Sequence, residues 1–486
     1  MSPIRSQGTT AFLWDFFGKI ARHGTLFIVM IVLARLLDPK DFGLIAIVMV
    51  FITLAFTFTD VGLSSALIQR RKVLPIHYAS AFYFNIFLGS VFALITFFSA
   101  ELLSEFYEEE RLTLMLQVMS PIFLFTSFSS VQINKLRKEL NYAVLSKAEV
   151  AAAVLSGGLS IVMALNGAGV WSLVAQAISR TVFHNIFLWY MSKWKPIFSF
   201  SFKALGHLWK FGLNMFLTET LTVIFKRVDI LVIGKLYSAA TLGFYDQAKR
   251  LLELITQYAS GSLMSVMFPV LSKVQKDLAQ FKIIVTKTLG AISFILFFLL
   301  GMMYLISDQL IILLLGEKWL PSIAYFKLLV LSGFHIPLSA LLANVVISRG
   351  DSKSFFLMEI YRIFLLLINF YVGFQWGMEG FLYGLVVVTT ISLLINIYYA
   401  SRECKIPFLN LLKPILIQML IAIIVVLFVS WVLQSLDTYN IVLLAIKSVI
   451  FLALYILISK MFKTNPYIYV MEHVRPIYER KFQGIK

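Results

Sequence analysis

Charged side chains recur at helical spacing within segments of this chain that are otherwise strongly apolar. The first group occupies positions i, i+4, i+7 and i+8 of one helix face and consists of Asp15, Lys19, Arg22 and His23. Ionisable side chains are costly to place in lipid, so we expect them either to bind a ligand or to pair with one another. Arginine suits anion binding because its guanidinium stays protonated and offers paired donors in a fixed plane.

Three later segments carry comparable groups of charges. In chain order they are Arg180 and His184, then Glu219, Lys226 and Arg227, then Asp246, Lys249, Arg250 and Glu253. Carboxylates among them are candidates for taking up a proton or a small cation. The alternative is structural, because opposite charges can also hold helices together without touching a ligand. Such pairs would be Arg227 or Arg250 with Asp229 or Asp246.

The elements that carry these charges are predicted to be membrane-spanning helices. Of the 486 residues, 60% are hydrophobic and only 14% are charged, whereas roughly a quarter are charged in soluble domains. Apolar runs of about 20 residues, the length of helix that crosses the hydrocarbon layer, recur along the whole chain. We predict an all-α integral membrane protein with fourteen transmembrane helices near residues 11–35, 42–68, 76–100, 113–133, 143–165, 169–191, 211–235, 241–268, 281–306, 322–347, 354–374, 379–400, 409–433 and 440–460.

Residue usage argues against several kinds of site. The single cysteine, Cys404, cannot form an internal disulfide, and the six histidines show no zinc-ligand spacing with it. Residues 350–354 read GDSKS and lack both the upstream glycine and the Gly-Lys-Ser/Thr ending of a phosphate-binding loop. We therefore expect no metal, no cofactor and no direct use of ATP.

The distribution of basic residues predicts the orientation of the spans. Lysines and arginines accumulate in alternate loops, as in cytoplasmic loops, while the opposite loops are short and acidic. The basic segments include Lys135, Arg137 and Lys138, then Lys193, Lys195 and Lys203, and finally Arg475, Arg480, Lys481 and Lys486. Both termini are therefore predicted to be cytoplasmic. The net charge of +17 is then a topology signal with a secondary attraction to anionic membrane lipid, and it requires no nucleic acid.

An internal repeat divides the chain. Residues 33–44 (LARLLDPKDFGL) align with residues 233–244 (IGKLYSAATLGF) at a constant offset of 200, which places Gly43 over Gly243. Parallel repeats of this kind typically face each other across a central path in transporters. In the segment that joins the two halves, basic residues are interleaved with aromatic ones, which predicts a helix lying in the membrane interface. The predicted layout is an N-terminal lobe at 1–192, a cytoplasmic interfacial linker at 193–210, a C-terminal lobe at 211–401, two extra helices within 402–462 and a cytoplasmic tail at 463–486.

Three segments resemble one family of transporters. They read VLARLLDPKDFGLIAIVMVF, then DVGLSSALIQRRK, and in the second half RVDILVIGKLYSAATLGFYDQAKRLLELI. Together they are similar to the Wzx-type flippases, the polysaccharide transporter branch of the multidrug/oligosaccharidyl-lipid/polysaccharide (MOP) flippase superfamily. The resemblance covers essentially the whole chain. It implies two six-helix lobes around a central cavity, two extra helices, and movement of a polyprenyl-pyrophosphate-linked oligosaccharide from the inner to the outer leaflet of the bacterial inner membrane.

This function requires a polar cavity for the pyrophosphate and the glycan, and the charged helix faces are expected to line it. The predicted substrate-binding residues are Lys19, Arg22, Arg180, His184, Lys226, Arg227, Lys249 and Arg250, with the four arginines as the pyrophosphate contacts. The predicted ion-coupling residues are Asp15, Glu219, Asp246 and Glu253. The resemblance makes antiport plausible and leaves open whether H+ or Na+ is the counter-ion. Charges nearer the cytoplasmic ends, including Asp60, Lys147 and Glu149, are interpreted mainly as snorkelling or capping.

The mechanism expected for two such lobes is alternating access. Pro121 and Pro337, together with Gly43 and Gly243, would suit lobes that rock past each other, although ordinary helix kinks and turns explain them equally well. The partners implied for such a flippase are the lipid-linked oligosaccharide, membrane lipid and the polysaccharide polymerase machinery.

Two other functions compete with a flippase. A drug/cation antiporter of the same superfamily normally has twelve spans and a cavity suited to cations, so fourteen spans and arginine-rich faces favour an anionic substrate. A membrane glycosyltransferase or polymerase could use Asp38 and Asp41 as an acidic motif. The outer loops are too short for a catalytic subdomain, however, and these residues suit a turn and a helix start. We therefore predict that the chain is not an enzyme.

Overall fold

The computed structural model describes residues 3–70, 72–434, 441–462 and 466–468, and these parts of the chain are predominantly α-helical. Most connections are two to six residues long, typical of helices that are neighbours in space. In chain order the α-helices are α1 Pro3–Leu36, α2 Pro39–Asp60, α3 Leu63–Gln69, α4 Pro75–Tyr107, α5 Arg111–Met119, α6 Ile122–Lys138, α7 Tyr142–Leu165, α8 Val170–Ser192, α9 Phe202–Leu236, α10 Ala239–Lys273, α11 Leu278–Leu315, α12 Leu320–Ser332, α13 His335–Ser348, α14 Ser352–Cys404, α15 Phe408–Val432 and α16 Ile441–Met461.

Ten helical segments in the described part of the chain are long and apolar enough to cross a membrane. The ten do not include α8, α9 and α10, which carry most of the predicted site residues; their charged and polar side chains lower the mean hydropathy. All fourteen predicted spans fall on helical segments, while the count of fourteen spans stays a prediction. The predicted tail at 463–486 lies outside the described residues except for 466–468.

Helix breaks occur where the backbone or a proline requires them. The second predicted span divides into α2 and α3 because Val61 (φ 44°) and Gly62 (φ 68°) both adopt the left-handed conformation. Pro121 lies at the junction of α5 and α6. The long helix α14 is interrupted at Trp376 and Gly377, which separates the predicted spans at 354–374 and 379–400. These interruptions therefore fall within or between predicted spans without changing their order.

The interfacial helix predicted at 193–210 is wrong for residues 193–201, whereas residues 202–210 are helical. Residues 193–201 are not helical, because α8 ends at Lys193 in the left-handed conformation and Pro196 follows. The Ser201 side chain then accepts a hydrogen bond from the Ala204 amide and caps α9, so residues 202–210 continue directly into α9. Phe198 in the irregular stretch is 99% exposed, as an interfacial side chain would be.

The described chain forms two compact units, Met1–Asp246 and Gln247–Lys486. In the first unit α7 packs between α1 and α8, while α9 packs against α2, α3 and α4. In the second unit α11 is the central helix and contacts α12, α15 and α16, and α13 packs along α14. Because α9 packs within the first unit, that unit extends beyond the predicted linker.

Opposite ends of the first unit carry different ionic contacts. At one end the Lys138 ammonium donates to the Arg70 carbonyl, and Arg70 donates to the His207 carbonyl at 3.5 Å. At the other end Lys40 Nζ lies 2.8 Å from a Glu109 carboxylate oxygen. The first group belongs to segments predicted to be cytoplasmic, and the second to segments predicted to be external.

The repeat-related glycines meet in the first unit. A Cβ added to Gly43 would lie 1.7 Å from the Ala239 carbonyl oxygen, and one added to Gly243 would lie 1.9 Å from the Pro39 carbonyl oxygen. The starts of α2 and α10 therefore touch through backbone atoms, an approach that only glycine permits.

Candidate anion-binding pocket

A polar pocket of about 290 Å³ lies among α1, α6 and α7 of the first unit. We call it the Arg22 pocket. Its lining consists of Asp15, Lys19, Arg22, Arg137, Tyr142, Leu145, Ser146 and Glu149. Drug-sized ligands occupy sites of roughly 300–1,000 Å³. The volume therefore suits a compact headgroup rather than a whole oligosaccharide.

Small residues bring α1 and α7 close enough to build this pocket. A Cβ on Gly18 would lie 2.2 Å from the Ser146 hydroxyl, which itself donates to the Trp14 carbonyl at 2.8 Å. About three turns further along the pair, Gly157 leaves room for Val29 in the same way. Close approach through small residues is the usual way in which membrane helices associate. It sets the register in which α1 side chains face α7.

Arg22 is the central cation of the pocket. Its Nε lies 3.5 Å from Glu149 Oε2 across the α1–α7 contact, and both side chains are about a quarter to a third exposed, at 25% and 30%. Its Nη2 donates to Nε2 of His23 at 2.8 Å, which requires that this ring nitrogen carry no proton. Arg22 therefore has an anionic and a neutral partner, and its side chain lines the pocket.

Cations outnumber carboxylates around this pocket. Lys19 pairs with Asp15 one turn away at 2.6 Å, which leaves Arg137 at the end of α6 beside the Arg22–Glu149 pair. Arg180 on α8 interacts electrostatically with Arg22 and Glu149, and His184 interacts with Arg180, Arg22 and Arg137. The predicted groups on α1 and α8 are thus brought together, and the resulting field favours an anion.

The predicted residues on α9 and α10 have different surroundings. Glu219 and Lys226 are exposed, and Arg227 is half-buried on α9. Asp229 accepts a hydrogen bond from the Tyr245 hydroxyl at 2.5 Å. On α10, Asp246 is buried, whereas Lys249, Arg250 and Glu253 are half-buried. The α9 and α10 candidates do not line the Arg22 pocket.

Five of the eight residues that line this pocket were not predicted as site residues: Arg137, Tyr142, Leu145, Ser146 and Glu149. Arg137 was interpreted only as a topology signal, Glu149 as a snorkelling or capping side chain, and Ser146 was not singled out. A usable signal exists in α7, where the sequence SKAEVAAAVLSGG combines small residues with a lone carboxylate. Small-residue faces of membrane helices pack against neighbours, so a charge on such a face contacts protein rather than lipid.

Asp38 and Asp41 lie at the start of α2. Asp38 lies at the N-cap of α2 but makes no side-chain capping hydrogen bond, while Asp41 lies 4.0 Å from Arg111. Within the described residues, no group of three His, Cys, Asp or Glu side chains could hold a metal ion.

Several curated proteins are similar to this chain over most of its length. Teichuronic acid biosynthesis protein TuaB of Bacillus subtilis (strain 168) is 24% identical over 75% of this chain and 77% of its own. Lipopolysaccharide biosynthesis protein WzxC of Escherichia coli (strain K12) is 23% identical over 81% of each chain. Succinoglycan biosynthesis transport protein ExoT of Rhizobium meliloti (strain 1021) is 23% identical over 66% of this chain and 65% of its own.

Solved structures share the fold. The lipid II flippase MurJ in an inward closed conformation has a TM-score of 0.73 at 16% identity, with 93% of this chain and 98% of that chain covered. An inward-facing multidrug resistance MATE family transporter of the MOP superfamily has a TM-score of 0.62 at 15% identity, with coverages of 81% and 99%. The predicted resemblance to the Wzx-type flippases of the MOP superfamily is confirmed, as is the prediction that the chain is not an enzyme. The family model described as polysaccharide biosynthesis protein matches residues 32–324, more than half of the chain, so this multi-pass membrane protein belongs to that family.

Proposed function

We propose that this protein moves a polyprenyl-pyrophosphate-linked oligosaccharide from the cytoplasmic to the outer leaflet for surface polysaccharide biosynthesis. The observation that carries the proposal is the Arg22 pocket, where arginines from α1 and α6 converge in a membrane protein of a polysaccharide family. Arginine binds pyrophosphate oxygens through paired donors and cannot lose its charge near neutral pH. The glycan and the prenyl chain lie outside a pocket of this volume.

The proposed arrangement in the membrane keeps the layout predicted from the sequence. Fourteen spans result when α14 is counted as two and α8, α9 and α10 are added to the ten apolar segments. Two six-helix lobes at 1–192 and 211–401 are joined by the linker at 193–210 and followed by two extra helices. Both termini are cytoplasmic and the membrane is the bacterial inner membrane. The basic residues of the alternate loops, among them Arg70 and Lys138, support this orientation.

The proposed mechanism is alternating access coupled to an ion. The pyrophosphate binds at the Arg22 pocket from the cytoplasmic side while the prenyl chain stays in lipid. The two lobes rock, and the headgroup is released outside to the polymerase machinery. Arg180, His184, Lys226, Arg227, Lys249 and Arg250 are the further proposed contacts along this path, and the predicted coupling groups are Asp15, Glu219, Asp246 and Glu253. H+ and Na+ are the candidate counter-ions.

The runner-up function is drug/cation antiport, which the likeness to a MATE family transporter favours. The excess of cations around the Arg22 pocket favours the flippase, because an organic cation would be repelled there. Resistance of cells to cationic drugs distinguishes the two functions. A deletion strain with unchanged polysaccharide and increased drug sensitivity would establish the antiporter instead.

The decisive experiment measures where the lipid-linked precursor accumulates in cells that lack this protein. We expect the precursor to accumulate on the cytoplasmic leaflet and surface polysaccharide to be lost. Re-expression of the protein should clear the precursor and restore the polysaccharide. Unpolymerised lipid-linked glycan on the outer leaflet would contradict the proposal, because flipping would then have occurred without this protein.

A further inference from the structure

We propose that residues 193–203, which join α8 to α9, form a docking surface for anionic phospholipid. We call this segment the Phe198 loop. Its phenyl rings enter the edge of the hydrocarbon layer, and its lysines contact the phosphates of the lipid headgroups. The inference uses the location of the chain in a membrane and does not depend on the substrate that the protein moves.

Three phenyl rings of the Phe198 loop are exposed. Phe198 is 99% exposed, Phe202 is 79% exposed and Phe200 is 41% exposed. The rings of Phe200 and Phe202 pack edge to face with their centroids 4.8 Å apart, and together they form one apolar surface. Water solvates such a surface poorly, whereas the boundary between headgroups and acyl chains accepts it. The rings therefore favour an apolar partner.

Three lysines flank these rings and have no anionic partner in the protein. Lys193, Lys195 and Lys203 are exposed, and none of them forms an ion pair or a side-chain hydrogen bond within the described residues. The sequence also contains no Asp or Glu at positions 150–218. The partner that complements the Phe198 loop is therefore anionic as well as apolar.

The Phe198 loop is held in place by two contacts with the first unit. The Trp194 ring packs edge to face against Phe82 of α4, with ring centroids 5.7 Å apart. The Ser201 amide donates a hydrogen bond to the Ser80 hydroxyl of the same helix at 2.9 Å. A surface that is already ordered loses little conformational entropy when it binds a partner.

The combination of charge and exposed rings selects the membrane surface as the partner. Lysine favours the hydrated headgroup layer and phenylalanine favours the hydrocarbon edge, and both layers lie within reach of one short segment at the interface. Helix α9 has 35 residues, whereas about 20 residues of helix cross the hydrocarbon layer. This excess leaves room for the first turns of α9 beside the headgroups. Anionic lipid attracts each lysine placed there.

The single cysteine of the chain makes a site-specific test possible. Cys404 is buried, and replacing it with serine gives a background in which Phe198→Cys supplies the only thiol. A fluorophore on this thiol is measured in the full-length protein, in nanodiscs of phosphatidylcholine and phosphatidylglycerol in equal amounts. A nitroxide is attached to the acyl chain of either lipid, and the ratio of quenching by the two lipids gives the local enrichment. Both leaflets have the same composition, so the orientation of the protein does not affect the result.

We expect labelled phosphatidylglycerol to quench more strongly than labelled phosphatidylcholine. Lys195→Gln should lower this enrichment by about fivefold at low ionic strength, because one lysine near an anionic surface contributes that much. Phe202→Ser should weaken quenching by both lipids, because the loop then lies less deeply in the membrane. Lys40→Gln is the matched control. It removes a lysine that pairs with Glu109 at the opposite end of the first unit, so the enrichment should stay unchanged.

Three results would overturn the inference. Equal quenching by the two lipids, or an enrichment that Lys195→Gln leaves unchanged, would mean that the loop does not recognise anionic phospholipid. Absence of quenching by either lipid would place the loop in water, where a protein partner is the alternative. Loss of the enrichment when trace polyprenyl phosphate is added would assign the loop to the transported lipid instead. The proposed function is tested separately, by the leaflet in which the precursor accumulates.

Discussion

The two units of the chain use buried polar groups in different ways. In the first unit, charges from different helices converge on a pocket, and Arg22 faces Glu149 at 3.5 Å beside open space. In the second unit, a buried hydroxyl lies against acceptors on two neighbouring helices. The Tyr455 hydroxyl of α16 lies 3.0 Å from both the Phe294 carbonyl of α11 and Gln418 Oε1 of α15. A cavity of about 230 Å³ among α11, α12 and α15 has a predominantly apolar lining.

The two arrangements of polar groups have different consequences for a membrane protein. Tyr455 and Gln418 are fully buried, and the Tyr455 hydroxyl links α16 to α11 and α15, so this contact holds three helices in one register. Arg22 and Glu149 remain partly exposed and incompletely hydrogen-bonded, so a ligand can still improve their environment. The polar groups of the second unit should therefore govern stability, and those of the first should govern transport.

Arg22→Ala is expected to have the largest effect on transport. Export of surface polysaccharide should fall by more than about tenfold, because charge-assisted hydrogen bonds to the pyrophosphate are lost. The amount of folded protein in the membrane should stay unchanged, which immunoblotting of detergent-soluble protein measures. Arg22→Lys should export at an intermediate level, since lysine keeps the charge and loses the planar pair of donors. Export at the wild-type level in Arg22→Ala would mean that the pocket of the first unit does not govern transport.

Tyr455→Phe should affect stability in place of transport. Deleting the hydroxyl leaves buried acceptors at Phe294 and Gln418 without this donor, a loss that costs about 1–3 kcal/mol. Thermal unfolding in detergent should show a lower midpoint, while export by the protein that remains folded should be unchanged. A normal unfolding midpoint with lost export would mean that the second unit also binds substrate.

Lys327→Ala should have a smaller effect on stability. Lys327 Nζ lies 2.8 Å from Asp308 on the neighbouring helix, and both side chains are 32% exposed. Ion pairs with this exposure contribute about 0–1 kcal/mol. A double-mutant cycle with Asp308→Asn measures the coupling free energy between the two side chains. A value as large as the effect of Tyr455→Phe would contradict the view that burial determines how much a polar contact contributes to stability.

The smallest effect is expected at the exposed pair of Glu108 and Lys235. A hydrogen bond from Lys235, together with its positive charge, lowers the pKa of the Glu108 carboxyl. Because the pKa is lower in the folded state, the pair adds stability at pH values above the unfolded pKa and loses it as pH falls through the folded pKa. The wild type should therefore lose slightly more stability than Glu108→Gln between about pH 5 and pH 3. Parallel pH profiles of the unfolding midpoint would show that the pair contributes nothing measurable.

The sequence predicts the helices well because length and hydropathy are local properties. Each predicted span falls on helical structure, including the interruption near Gly377, where a glycine with positive φ ends one segment. The break after Asp60 is not predicted, because its cause is the left-handed backbone conformation of Val61 and Gly62.

The candidate site is only partly predictable for a physical reason. The face that carries Arg22 follows from helical periodicity, whereas its partner Glu149 lies far away in the sequence and on another helix. Which faces meet depends on close packing of small residues, here Gly18 against Ser146. One sequence contains those residues but does not state which helix they touch. The linker at 193–210 is predicted to be helical from its alternating basic and aromatic residues, whereas residues 193–201, which include Pro196 and the cap residue Ser201, are not helical.

The backbone contact between Gly43 and Gly243 restricts how the chain can change over evolutionary time. Most contacts between helices tolerate drift, because a larger residue on one side can be offset by a smaller one on the other. Glycine has no smaller replacement, and each of these two positions already faces a carbonyl oxygen at less than 2 Å from an added Cβ, at 1.7 and 1.9 Å. No compensating substitution therefore exists for either site. The two halves can diverge in almost every side chain, but at this point they can diverge only by moving the backbone.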